Sequence, residues 1–312
     1  MAFELKYADL PTRDERLCYA EAGDPNGEVL LCIHGNYSSY FSMRDFLTEV
    51  TNSYHVVIPD LRGFGRSTYN HPYSSIKEMS DDLIEFCHVI NIKKAVVLGH
   101  SLGGGVAMQF AIDAPEITDR LILVAPTSVY GYPLFKGNQQ DGFKPFESME
   151  DCMTSDDPVG KAIQLTVNTF KSGNLEACIK LMSALGGHKE EPSERFIEAI
   201  KESMLQRDLL AADWALMTWN ITDIPSLYSK GTGEYKKILA PTLLFTAEND
   251  TFVLPFMTEA NVNALKWKGN DFKHVTYPNC IHNIYAPESE GGQKTKFFKD
   301  LNSYLLTGEI AE

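Results

Sequence analysis

One serine in this chain stands in a setting that would make it a nucleophile. Gly99-His100-Ser101-Leu102-Gly103 matches the pattern G-x-S-x-G. The apolar run Ala95-Val96-Val97-Leu98 precedes it, and a helical pattern over 102–114 follows it, the context that the pattern requires. A strand that turns directly into a helix forces the central residue into a strained conformation. Its flanking positions come too close to neighbouring backbone to carry side chains. Such a turn lifts the Ser101 hydroxyl above the sheet. It also aims the N-terminus of the next helix, with its partial positive charge, at any oxyanion that forms. The chemistry expected is attack of a serine oxygen on a carbonyl carbon.

An elbow of this kind needs a sheet behind it. Residues 28–33, 54–58, 94–98, 120–125 and 241–246 are nearly continuous in β-favouring residues. That is how strands buried on both faces of a parallel sheet read. Helical patterns near 42–50, 76–90 and 102–114 alternate with them, which predicts an α/β fold, a doubly wound and mostly parallel sheet. Residues 3–9 and 16–22 read as a hairpin at its edge. From about 130 to 236 no buried-strand run occurs; the segment has a helical period and is rich in Met and aromatic residues. The expected organisation is therefore a core of residues 1–128 and 237–312 with a helical cap inserted at 129–236.

The elbow in its strand–helix setting resembles that of the α/β-hydrolase superfamily. That resemblance implies an oxyanion loop after an early strand, an acid after a late one and a histidine near the C-terminus. Each has a match. Leu30-Leu31-Cys32-Ile33 runs into His34-Gly35-Asn36-Tyr37, so the implied oxyanion donors are the backbone N–H groups of Asn36 and Leu102. His34, by the same resemblance, holds its loop and is not the base. The implied acid is Asp250 in Ala247-Glu248-Asn249-Asp250-Thr251, with Glu248 as a rival that more often supports the turn. The implied base is His282, in a loop after the strand pattern 271–277 and before a closing helix near 290–306. His274 lies within that strand, and His55, His71, His88, His100 and His188 read as surface or packing residues. The chain order Ser101, Asp250, His282 is that of α/β-hydrolases and differs from chymotrypsin-like and subtilisin-like enzymes. Asp60 and Arg62, in a turn at 59–67 that also resembles the family, are expected to be structural.

The bulk numbers exclude other classes. With a formal charge of −14 and a pI near 5.0, the chain repels polyanions, so nucleic acid is not an expected partner. The six cysteines show no framework or CxxC spacing, which favours free thiols and a reduced, cytoplasmic protein. No signal peptide is read in the first nine residues, and no segment approaches the roughly 18 apolar residues of a membrane span. No metal and no cofactor is expected; the expected partner is a small-molecule substrate, and a homo-oligomer is left open.

A serine at the elbow argues against epoxide hydrolases and haloalkane dehalogenases, whose similar sequences carry Asp there. The expected activity is hydrolysis of a largely apolar carboxylic ester or lactone through an acyl-enzyme. Two alternatives share the same residues: a carbon–carbon bond hydrolase, and a non-enzymatic receptor built on this fold. Candidate substrate-binding residues are Tyr37, Trp214 and Met217. Trp214 and Met217 lie three apart, so on a helix they share a face. They are expected to point together into the cleft, the alternative being the core of the cap.

Overall fold

A computed structural model describes residues 4–50, 53–186 and 191–311. His188 lies outside them. The main sheet has eight strands: β1 (Leu5–Leu10), β2 (Glu15–Gly23), β3 (Glu28–Ile33), β4 (Tyr54–Pro59), β5 (Ala95–His100), β6 (Thr118–Val124), β9 (Thr242–Ala247) and β10 (Phe272–Tyr277). Their order across the sheet is β1-β2-β4-β3-β5-β6-β9-β10. β2 runs antiparallel to both β1 and β4, and every other pairing is parallel. The expected edge hairpin and parallel centre are both present. β5 and the later residues of β3 and β6 (Leu30–Ile33 and Leu121–Val124) are buried and mostly apolar because helices cover both faces of the sheet.

The order of strands places the site. From β3 the chain steps to β4 on one side, then crosses to β5 on the other, so β3 and β5 are neighbours at the point where the winding reverses. In open α/β sheets ligands bind beyond the carboxyl ends of the strands at that point. Ile33 and Gly99 are paired in register, so the turn after β3 and the turn after β5 leave the sheet side by side.

The helices follow their capping chemistry. α1 (Phe46–Glu49) is one turn long and follows a 3-10 turn at Tyr40–Met43, so the helix expected near 42–50 is two short pieces. Ser39 caps the first by accepting from the Phe41 N–H. α2 (Ile76–Val89) opens on Ser75, whose hydroxyl accepts from the Glu78 N–H, while the Glu78 carboxylate accepts the Ser74 N–H at 3.2 Å. α3 (Leu102–Asp113) is apolar on every side because the sheet, α2 and the inserted segment enclose it. α2 and α3 pack one face of the sheet; α1 and α10 (Lys294–Thr307) pack the other, where Phe46, Phe245 and Phe297 meet edge to face.

Between β6 and β9 the chain adds no strand to the main sheet. It forms an exposed two-stranded hairpin, β7 (Lys136–Asn138) with β8 (Gly142–Lys144), and the helices α4 (Met149–Thr154), α5 (Pro158–Lys171), α6 (Leu175–Leu185), α7 (Glu194–Ser203) and α8 (Leu209–Thr218). This insertion has an apolar core of its own, including Phe146, Cys152, Ile163, Phe170, Ile200 and Met217. The chain then returns to the sheet at β9, and α9 (Pro255–Leu265) lies between β9 and β10. All six cysteines are free and buried. Among the described residues no helix is long and apolar enough to cross a membrane.

Candidate active site

Ser101 caps α3 with φ 56° and ψ −120°, a strained conformation for a residue with a side chain. The neighbouring contacts show why the two glycines of the motif are needed. A Cβ on Gly99 would lie 2.1 Å from the Gly103 carbonyl oxygen, and one on Gly103 would lie 2.2 Å from that of Ile33. The Ser101 N–H is held by the Val124 carbonyl at 3.1 Å, which ties the elbow to β6. Leu102 is the first residue of α3, and the first N–H groups of a helix have no acceptor within it.

The acid and the imidazole meet beyond β9 and β10. These strands run parallel in register up to Ala247 and Tyr277, and the Asn249 N–H donates to the Cys280 carbonyl at 2.9 Å. The two loops therefore leave together. His282 Nδ1 stands 2.7 Å from Asp250 Oδ2, with both residues buried. Asp250 Oδ1 accepts the N–H groups of Phe252 and Val253, each at 2.8 Å, which fixes the carboxylate. An imidazole held this way at Nδ1 keeps Nε2 free to exchange a proton. Glu248 is exposed and instead accepts the Asn279 N–H at 2.8 Å, bracing the turn.

Ser101, His282, Asn36 and Leu102 line one cavity of about 330 Å³ beneath the insertion. Its walls are largely apolar, with Leu134, Ile163, Met182, Phe196, Leu216 and Phe252 among them. No lysine or arginine is among the described residues that line it. Tyr37 also lines it. Among the described residues no group of three or more His, Cys, Asp or Glu side chains is arranged to hold a metal ion.

Trp214 and Met217 do not line the cavity, which corrects the expectation that they face the cleft. They do point together, but into the insertion's core, where Trp214 meets Tyr228 edge to face. The reason is helical phase. Asp213 and Leu216 occupy the cavity face of α8, and Trp214 and Met217, one position on, lie about 100° further round.

Three residues of the site carried no weight in the sequence reading. His100 is buried, packs its ring 4.7 Å from that of His282 and bonds to Tyr285 through Nδ1 at 3.2 Å. Burial, with His282 as a lesser cause, holds its pKa well below the usual histidine value, so it stays neutral. Asp213 accepts from Asn36 Nδ2 at 2.8 Å and from the Tyr37 hydroxyl at 3.4 Å. It is half-buried on the cavity wall, and burial pushes its pKa up to about 7, against the opposing pull of the bonds from Tyr37 and Asn36. Gln206 donates to Asn36 Oδ1 at 2.8 Å. One signal for Asp213 was available, since it is the sole charged side chain between Leu209 and Thr222.

The supporting residues behave as expected. His34 Nε2 accepts the Leu61 N–H at 3.0 Å, and burial lowers its pKa to about 4, so it is a neutral strut between two loops. Asp60 accepts the N–H groups of Tyr40 and Arg66, at 2.7 Å and 2.9 Å. Arg62 pairs with buried Asp82 at 2.7 Å.

Comparison with known proteins agrees with this architecture. Residues 28–288 match the family described as alpha/beta hydrolase fold. The Magnesium-chelatase 30 kDa subunit of Rhodobacter capsulatus is 39% identical over 97 residues, 30% of this chain and 34% of that protein. Epoxide hydrolase 1 of Caenorhabditis elegans is 27% identical over 250 residues, 72% of this chain and 62% of that one. The chain spans about a third of the length of the first curated relatives that it matches. Among solved structures, the enol-lactonase from Burkholderia xenovorans LB400 superposes with a TM-score of 0.69 at 14% identity, over 96% of this chain and 100% of that one. An eight-stranded sheet wound in this order, an elbow at the end of β5 and a match across most of its length place the chain in the α/β-hydrolase fold family.

Proposed function

We propose that the chain is a serine hydrolase that cleaves a small to medium, uncharged and largely apolar carboxylic ester or lactone. The observation that carries this reading is the 2.7 Å bond between His282 and Asp250, with His282 and Ser101 on the wall of one cavity. Ser101 Oγ attacks the carbonyl carbon while His282 Nε2 takes its proton. Asp250 stabilises the imidazolium, and the N–H groups of Asn36 and Leu102 receive the developing oxyanion. The proton returns to the leaving oxygen, and water, deprotonated by His282, then hydrolyses the acyl-enzyme.

The cavity supports the substrate class. About 330 Å³ stands at the low end of ligand pockets, and its apolar walls suit a short hydrocarbon chain. With no lysine or arginine among the described residues of the wall, nothing among them offsets the desolvation of an anionic substrate. Ser101 stands where an enzyme opening an epoxide or a carbon–halogen bond would carry a carboxylate. The test is a panel of p-nitrophenyl esters and lactones of graded chain length and a vinylogous diketone, run with the parent protein and with Ser101→Ala. Turnover of short neutral esters that Ser101→Ala abolishes is the expected result. Binding without turnover would favour a receptor, and turnover of vinylogous diketones alone a carbon–carbon bond hydrolase.

A further inference from the structure

The turn after β3 is held from outside its own element. Asn36 donates from Nδ2 to Asp213 Oδ1 at 2.8 Å, and its Oδ1 accepts from Gln206 Nε2 at 2.8 Å. The Tyr37 N–H donates to Gln206 Oε1 and to Asn36 Oδ1, each at 3.0 Å. The Tyr37 hydroxyl reaches Asp213 Oδ2 at 3.4 Å, and its ring packs on Phe170 with centroids 5.4 Å apart. Gln206, Asp213 and Phe170 all belong to the insertion, and Asn36 and Tyr37 to the sheet's loop.

The turn needs such support. Tyr37 has φ 51°, in the left-handed region where a residue with a Cβ is strained. Such a conformation persists only where its surroundings over-determine it. His34 ties the start of the loop to Leu61, but at Asn36 and Tyr37 the side-chain hydrogen-bond partners from outside the turn, Asp213 and Gln206, belong to the insertion. No cation faces Asp213 among the described groups that act on it; its titratable neighbours are Tyr37, Tyr73, Tyr132, Cys152 and Asp208. The carboxylate therefore has the two donors on the turn as its direct partners.

We propose that Asp213 and Gln206 are positioning residues through which the inserted helices hold the Asn36–Tyr37 turn, and with it the backbone N–H that meets the oxyanion. The role given to that N–H rests on the ester-hydrolase reading; the hold on the turn does not. A rival account makes Asp213 a substrate contact, since it lines the cavity. The two differ in what they move. Loss of a substrate contact raises KM, whereas a displaced oxyanion donor lowers kcat with KM kept.

The test uses the full chain and three variants, Asp213→Leu, Asp213→Asn and Gln206→Leu, with amide hydrogen exchange at the turn and ester kinetics read on each. In the two leucine variants the Tyr37 amide should exchange about tenfold faster or more, with Tm little changed. Their kcat should fall by about 10- to 100-fold with KM within about twofold. Asp213→Asn keeps an oxygen for Asn36 Nδ2, so its exchange and kcat should lie close to the parent. Unchanged Tyr37 exchange in both leucine variants overturns the proposal, as does a KM that rises while kcat holds. Should Asp213→Leu fail to fold, Gln206→Leu breaks the same network from the other side. Should the parent turn over no ester, the functional reading fails, and the exchange measurement alone still decides whether the insertion holds the turn.

Discussion

Asp250 offers one carboxylate oxygen to His282 Nδ1 at 2.7 Å and uses the other to accept two backbone N–H groups. Such a group is fully committed before any substrate arrives. Asp250→Asn should leave the fold intact, because the loop bonds to Oδ1 survive. It should favour the wrong histidine tautomer and cost about 10³- to 10⁴-fold in kcat/KM. Glu248→Gln touches only the Asn279 N–H, so its cost should stay below about tenfold. Kinetics of the two purified variants on one ester decide the matter, and the reverse ranking would show that the wrong carboxylate had been assigned.

The two faces of α8 should separate stability from selectivity. Met217 is fully buried in the insertion's core, so Met217→Ala should cost about 2–5 kcal/mol of stability and leave chain-length preference alone. Trp214→Ala should likewise act on stability. Leu216 lines the cavity, and Leu216→Ala should shift preference towards longer acyl chains. Melting curves and chain-length profiles on the same variants check this. A changed profile in Met217→Ala with Tm kept would put Met217 back in the cleft.

Buried carboxylates give the molecule a pH signature. Burial raises Asp60 and Asp213 to about 7 and Asp82 to about 6. Between an ordinary carboxylate's pKa of about 4 and these values, the folded chain binds more protons than the unfolded one. The slope of unfolding free energy with pH is therefore negative there. Their contribution is complete below about pH 4 and lost as pH rises through about 6–7. Asp213→Asn removes one such group. Its Tm relative to the parent should improve from pH 5 to pH 8, and a difference independent of pH would refute the assignment of a titrating Asp213.

Much of this was legible in the residues. The strands announce themselves because burial on both faces leaves no polar period, as in Val96-Val97-Leu98 and Leu243-Leu244-Phe245. Ser101 was legible because its turn excludes side chains at Gly99 and Gly103. The insertion was less so. α8 is apolar on both flanks, one for the cavity and one for its own core, so periodicity could not set its phase, and Trp214 was placed one step from where it points. His100 and Gln206 were missed because each acts on a residue far along the chain, His282 or Asn36, with no local pattern to mark the pairing.

The central claim is that Ser101 is the nucleophile, and covalent labelling tests it most directly. The protein is treated with a serine-directed organophosphonate, digested and mapped by mass spectrometry. The geometry of the elbow and the shared cavity predict a single adduct, on Ser101, that Ser101→Ala abolishes. An adduct on Ser128 or Ser67, or labelling that survives Ser101→Ala, would contradict the account.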